Sequence, residues 1–233
     1  EGVYDPGIFK AFFLAGGAGS GKSYSAEKST GSAAGKFQWH DDMNTRELTP
    51  GKTGPYGLKV VNSDEQLEFG LMKARMHSDM TKYSDAETME KERIREKGKK
   101  ITKKKEQLWI NGRLGLIIDG TAKNPAKLSG RIKALTDVGY DTYMIFVNTS
   151  LDVALQNNAG RKRRLKDEVV TATWSEVQQV KDQLSNLFPG GFVEIVNNRA
   201  GEDVFRKSFV EIGKLMKRPP SSPIAKAWIA HEL

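Results

Sequence analysis

The stretch GGAGSGKS at residues 16–23 decides how the rest of the chain is read. Gly16, Gly21, Lys22 and Ser23 satisfy the spacing GxxxxGK[ST], with the apolar run IFKAFFL (8–14) before them and a helix-like segment after them. That context is what a phosphate-binding loop requires. Glycines let the backbone curl until successive N–H groups point at one anion. A helix starting at Gly21-Lys22 turns its positive end toward the same anion. Lys22 then places a point charge on the β and γ phosphates, and the Ser23 hydroxyl is a ligand for Mg²⁺. A glycine-rich turn that contains GKS by chance has no need of a strand on one side and a helix on the other. The expected nucleotide-binding residues are Gly16, Gly17, Ala18, Gly19, Ser20, Gly21, Lys22, Ser23 and Tyr24, with ATP as the ligand.

Working outward, four more short apolar runs follow: LKVV (58–61), LGLIID (114–119), DTYMIFV (141–147) and FVEIV (192–196). Their hydrophobicity is mostly continuous, as in strands buried on both faces of a parallel sheet. Between them, 22–34, 64–77, 124–138, 151–160 and 168–187 read as helices. Asn124-Pro125 is a good helix start and Gly139 a good stop. The alternation predicts a doubly wound α/β domain over 1–216. Residues 35–57 read as a long surface loop, and 72–111 as a charged helical insertion broken near Gly98. KRPPSSP (217–223) reads as a linker, and 217–233 as that linker plus a short helix that packs back on the domain, the alternative being that it docks on a partner.

What the protein does with a nucleotide must be read from the strand ends. Asp64 follows the second strand directly in VVNSDEQLE, at the carboxyl edge where ligands bind in such folds. There it can orient or deprotonate an attacking hydroxyl. The alternative is that Ser63 or Asp64 merely caps the following helix. The third strand ends in LIIDGT, so Asp119 is placed to hold Mg²⁺ through water. The next residue, Gly120, is not the Glu that water-activating ATPases use, and no NKxD motif for guanine follows. A kinase remains.

After the fourth strand, the helix from about Ser150 ends in Arg161-Lys162-Arg163-Arg164. A lid of arginines over 150–170 suits phosphoryl transfer, because guanidinium groups closing over the transferring group stabilise its charge and exclude water. Arg161 and then Arg163 are the expected catalytic cations, beside Lys22 and Asp64. The alternative is a solvated helix end whose cations favour the C-terminal dipole.

Composition bounds the rest. The 233 residues contain no cysteine and three histidines, which excludes disulfides, thiolate metal sites and a cysteine nucleophile. No stretch reaches the roughly 18–20 apolar residues needed to span a bilayer, and no signal peptide is read, so a cytoplasmic protein is expected. The net charge is +8, concentrated in KERIREKGKKITKKK (91–105), with nine Lys/Arg against two Glu, and in RKRRLK (161–166). The first run is either a solvated helix face or an attraction for a polyanion such as nucleic acid through Lys99, Lys100, Lys103, Lys104 and Lys105. The second possibility carries an alternative function, that of a nucleic-acid-binding protein using ATP as a conformational ligand.

GGAGSGKS, VVNSDE, LIIDGT and SLDVALQNNAGRKRRL, in that order, resemble the zeta-toxin and polynucleotide-kinase branch of P-loop kinases, above all the zeta-toxin-like kinases encoded by large tailed bacteriophages. The resemblance spans about residues 8–198. It implies strand order 2-3-1-4-5, Asp64 as general base toward a substrate hydroxyl, Arg161 and Arg163 as lid arginines, and Asn197 and Asn198 near the adenine. It also implies an acceptor that is a nucleotide, a nucleotide-sugar or a nucleic acid, and a host-cell cytoplasmic location. Leu67 departs from the polynucleotide kinases, which carry an Arg shortly after the base.

Overall fold

The computed structural model describes residues 2–39, 46–77, 79–198 and 201–233. Five parallel strands form the central sheet: β1 (Lys10–Ala15), β4 (Lys59–Val61), β5 (Leu116–Asp119), β6 (Asp141–Asn148) and β7 (Phe192–Val196), in the order β4-β5-β1-β6-β7. Numbered within this sheet alone, the order is 2-3-1-4-5, as the resemblance implies. Every residue of the central strand β1 is buried. Its two-residue period divides the core: Ala11, Phe13 and Ala15 join one apolar cluster, while Phe12 and Leu14 join the other. Burying each such Phe stabilises the fold by roughly 1.5–3 kcal/mol.

Helices cover both faces. On the Phe12 side lie α1 (Lys22–Thr30) and α8 (Glu202–Met216), through Ala26, Phe205, Ile212, Leu215 and Met216. On the Phe13 side lie α4 (Pro125–Thr136), α6 (Asp167–Gln179), α7 (Lys181–Leu187) and α9 (Pro223–Glu232), through Leu128, Leu135, Val177, Leu184 and Ala225. Helix α9 also sets Trp228 edge-on to Phe9, ring centres 5.5 Å apart. Asn124 caps α4 by accepting from the Lys127 N–H, with Pro125 at the first helical position. None of the helices among the described residues is long and apolar enough to cross a membrane.

Four expectations need correction. The segment 35–57 is not all loop, because β2 (Lys36–Trp39) and β3 (Arg46–Thr49) pair antiparallel; residues 40–45 lie outside the described residues. The charged insertion is not broken at Gly98. Helix α2 (Asp64–Lys73) ends early, and α3 (Asp85–Asn111) runs unbroken through Gly98. Between them Arg75 takes a positive φ of 55°, and Ser84 restarts the helix in a capping box with Glu87; Ser78 in this stretch lies outside the described residues. Gly98 is glycine for another reason: an added Cβ would stand 3.1 Å from Gln66 Cβ, where α3 crosses α2. The run 168–187 is two helices, α6 and α7, parted at Val180. Finally, α8 goes unread in the sequence, although Val204, Phe205, Ser208, Ile212 and Leu215 repeat at helical spacing along its inner face.

The α2–α3 pair has its own small core of Leu67, Leu71, Met76, Met80 and Ile94, against which Leu165 of the arginine segment packs. Leu67 is thus a core residue of the α2–α3 pair.

Candidate active site

The glycine-rich loop of residues 16–21 joins β1 to α1, and its glycines answer to local geometry. Gly19 (φ +78°) lies so close to helix α5 (Leu151–Ala159) that a Cβ would meet the Ala154 carbonyl oxygen at 2.2 Å. Gly21 (φ +81°) would bring a Cβ within 2.5 Å of Asn197 Nδ2. Two amides fix the loop from outside: Asn157 Nδ2 donates to the Gly19 carbonyl at 2.8 Å, and Asn197 Nδ2 to the Ser20 carbonyl at 2.9 Å. Because a trans peptide points its C=O and N–H in opposite directions, the second contact turns the Gly21 N–H away from Asn197 and into the loop. The first N–H groups of α1 have no intrahelical acceptor and face the same way along the axis. Lys22 closes the loop, its Nζ donating to the carbonyls of Gly16 (2.8 Å) and Gly17 (3.0 Å). Withdrawal from water lowers its pKa, while Asp119 works in the opposite direction.

Across from the loop, Asn62 holds the two carboxylates in place. Its Oδ1 accepts from the Asp64 N–H at 2.7 Å, and its Nδ2 donates to Asp119 Oδ2 at 2.8 Å. Asn62 thus provides the local side-chain acceptor at the start of α2, for Ser63 makes no such bond. The Asp64 side chain is free of capping and pairs with Arg163, Nη2 to Oδ2 at 2.5 Å, while Arg163 Nε lies 3.2 Å from Glu68 Oε1. Burial alone would lower the Arg163 pKa, but the two carboxylates raise it overall. For Arg161 the balance is reversed: burial and Arg163 beside it lower its pKa overall, against the opposing pull of Asp64 and Glu68. Burial pushes the Asp119 carboxyl up to about 6 against the pull of Lys22, with Asp64 adding to the rise.

The arginine segment is anchored by Asn158, which is 1% exposed at the end of α5. Its Nδ2 donates to the Leu165 carbonyl (2.8 Å) and its Oδ1 accepts from the Leu165 N–H (3.1 Å), pinching residues 159–164 into a loop. Trp174 of α6 adds a second support, donating from Nε1 to the Thr149 carbonyl at 2.7 Å with its backbone against Gly17.

Ser23, Asp64, Asp119, Arg161 and Arg163 line one cavity of about 450 Å³ together with Asn62 and Glu68. A second cavity of about 370 Å³ is lined by Gly19, Gly21, Val153, Asn157 and Asn197. Tyr24 and Arg161 belong to both walls. Asn198 is engaged elsewhere, its Oδ1 accepting from the Ser150 N–H at 2.7 Å. Lys99 pairs with Glu96 on α3, and Lys105 lies over the Trp109 ring, away from the cavity that holds Ser23. Asn62, Glu68, Asn157 and Asn158 escape the sequence reading; only the position of Asn62 two residues before Asp64 carries a local signal, that of an Asx turn.

No family model matches the sequence, and no curated protein matches it. Among solved structures, the chain is similar to the native AvrRxo1-ORF1:-ORF2 complex, with a TM-score of 0.51 and 11% identity over 95% of this chain and 75% of that one. It is also similar to a structure of the PezAT chromosomal toxin–antitoxin system of Streptococcus pneumoniae, with a TM-score of 0.47 and 11% identity over 95% of this chain and 86% of that one. At such identity the first likeness is one of fold.

Proposed function

We propose that the chain is an ATP- and Mg²⁺-dependent kinase of the zeta-toxin and polynucleotide-kinase type, transferring the γ-phosphate to a hydroxyl of a nucleotide, nucleotide-sugar or nucleic-acid acceptor. One observation carries this reading: the phosphate-loop Ser23, the carboxylates Asp64 and Asp119 and the lid arginines face a single cavity, and Arg161 stands on the wall it shares with the nucleotide-side cavity. A triphosphate entering along the loop meets N–H groups, Lys22 and then arginine. An acceptor in the larger cavity meets Asp64.

The chemistry then follows. Asp64 takes the proton as the acceptor oxygen forms its bond to Pγ. The bond from Pγ to the bridging oxygen breaks, and its electron pair leaves with ADP. Lys22, Arg161 and Arg163 hold the charge on the transferring oxygens. The residues present fit Mg²⁺: Ser23 and Asp119 offer hard oxygen donors on one wall, as this ion prefers. When bound, Mg²⁺ neutralises charge shared between the β and γ phosphates. Against a nucleic-acid-binding protein stands the first part of α3, where Arg93 pairs with Glu90, Arg95 and Lys91 with Glu92, and Lys99, one of the five lysines considered for that role, with Glu96. Alternating pairs of this kind describe a solvated helix.

Asp119 makes a prediction of its own. Because its folded-state pKa is raised to about 6 from 3.8, the fold binds a proton there more tightly than the unfolded chain does. Its contribution to stability is therefore best below about pH 4 and is lost as the pH rises through 6. Asp119→Asn mimics the protonated form, and is expected to raise the stability of the ligand-free protein at pH 7 by about 1–2 kcal/mol. The same substitution is expected to weaken Mg²⁺-dependent ATP binding at least ~10-fold. In the wild type, that binding should fall about tenfold per pH unit below 6, since the metal requires the carboxylate. Thermal melts and ATP titrations with and without Mg²⁺ read both effects.

The reading as a whole is tested with ADP and a metal fluoride that mimics the transferring phosphoryl group. The expected result is binding about 100-fold tighter than ADP alone, with the gain lost in Arg161→Ala. Equal affinity with and without fluoride contradicts phosphoryl transfer.

A further inference from the structure

The larger cavity does not stand alone. It shares part of its wall with a third of about 380 Å³, bordered by Lys52, Lys59, Lys105 and Trp109. Five residues line both: Ala33, Ala34, Gly35, Val60 and Glu65. Of these, Glu65 alone carries a polar side chain. It lines both the cavity where transfer is proposed and the outer one.

The Glu65 carboxylate has no donor of its own. Among the described residues, no hydrogen bond or ion pair reaches it, whereas the neighbouring cations are engaged: Lys52 with Glu27 at 2.7 Å, and Lys105 over Trp109 at 5.0 Å. Its Oε2 instead lies against the backbone of Gly35, where an added Cβ would be only 3.1 Å away. A favourable interaction with the start of α2 does not account for this placement, because a carboxylate in the first turn gains it while pointing to water. A carboxylate facing two cavities accepts hydrogen bonds from the groups that reach it and repels phosphate at close range. Lys36, Arg161, Lys162 and Arg163 line the first cavity beside Asp64, Glu68 and Asp119, so that repulsion is local to Glu65.

We propose that Glu65 determines acceptor specificity: it accepts hydrogen bonds from hydroxyl or amine groups of a small acceptor that reaches it, and at close range it turns away the phosphodiester backbone of a polynucleotide. This rests on the phosphotransfer reading and narrows it. The two chambers, about 450 and 380 Å³, have the size of cavities that enclose small molecules.

The test uses the full chain with γ-labelled ATP and Mg²⁺, offered separate pools of nucleosides, amino sugars and nucleotide-sugars, and of DNA and RNA oligonucleotides with free 5′ hydroxyls. Label is expected in a small-molecule pool. For the compound labelled, Glu65→Ala is expected to raise KM by about 10- to 100-fold, as for a lost hydrogen bond to a charged group, with kcat changed far less, and Glu65→Gln to raise it less than Glu65→Ala. Gly35→Ala, which displaces the carboxylate without removing it, is expected to raise KM as well, with the fold checked by thermal melting. Label confined to oligonucleotides, or an unchanged KM in Glu65→Ala, overturns the role of Glu65 and leaves phosphotransfer standing. ADP formation without label in any pool contradicts phosphotransfer itself, and with it the proposal.

Discussion

Asp64→Asn is expected to keep ATP affinity within about threefold of wild type while lowering phosphoryl transfer by about 10²–10⁴-fold, the range for loss of a general base. The substitution is nearly isosteric. It keeps an oxygen that can accept from Arg163 Nη2, and it leaves the backbone N–H that donates to Asn62 untouched. Arg163 also retains Glu68, so the lid has no reason to come loose. What disappears is the ability to receive a proton from the acceptor hydroxyl. An ATP titration and a single-turnover transfer assay on the same preparation separate the two quantities. Transfer at the wild-type rate would show that Asp64 is not the base.

Lys22→Ala is expected to act at the other end of the reaction, lowering turnover by about 10²–10³-fold through lost charge on the phosphates. The ammonium is already positioned, for it bridges the Gly16 and Gly17 carbonyls across the mouth of the loop. Its removal should disturb the fold little, because the site disfavours the cation through burial, which offsets the loss of two hydrogen bonds. Unlike Asp64→Asn, this variant should lose nucleotide affinity along with rate. A thermal melt in the presence of ATP reads the difference: wild type and Asp64→Asn shift upward with ligand, and Lys22→Ala does not.

How much of this was visible beforehand depends on the range of the signal. The glycine-rich loop is legible because its chemistry is local, with glycines, lysine and serine within eight residues, and so are the strands, whose runs are apolar throughout where β1, β5 and β6 are buried on both faces. Sequence position also puts Asp64 and Asp119 at strand ends and the arginines at the end of the helix after β6, and all of them line one cavity. The supports of that cavity are hidden for the opposite reason. Asn62 reaches Asp119 across 57 positions, Glu68 meets Arg163 across the α2–lid gap, and Asn157 touches Gly19 across 138. A lone Asn or Glu on a helix says nothing about a partner so far away. Gly98 misleads because glycine signals both a break and a close crossing, and only the neighbouring helix, Gln66 beneath it, decides between them. The hairpin β2–β3 is short and lies apart from the main sheet, so its alternation is easily lost among the Gly, Lys and Thr residues around it.

The central claim is that the γ-phosphate passes from ATP directly to an acceptor oxygen within the cavity shared by Ser23, Asp64 and Arg161. Its most direct test is the product balance of a reaction with an acceptor found to take label. The account predicts one phosphoester formed on the acceptor for each ADP released, and both falling together in Asp64→Asn. ADP matched only by inorganic phosphate, unaffected by Asp64→Asn, would contradict it.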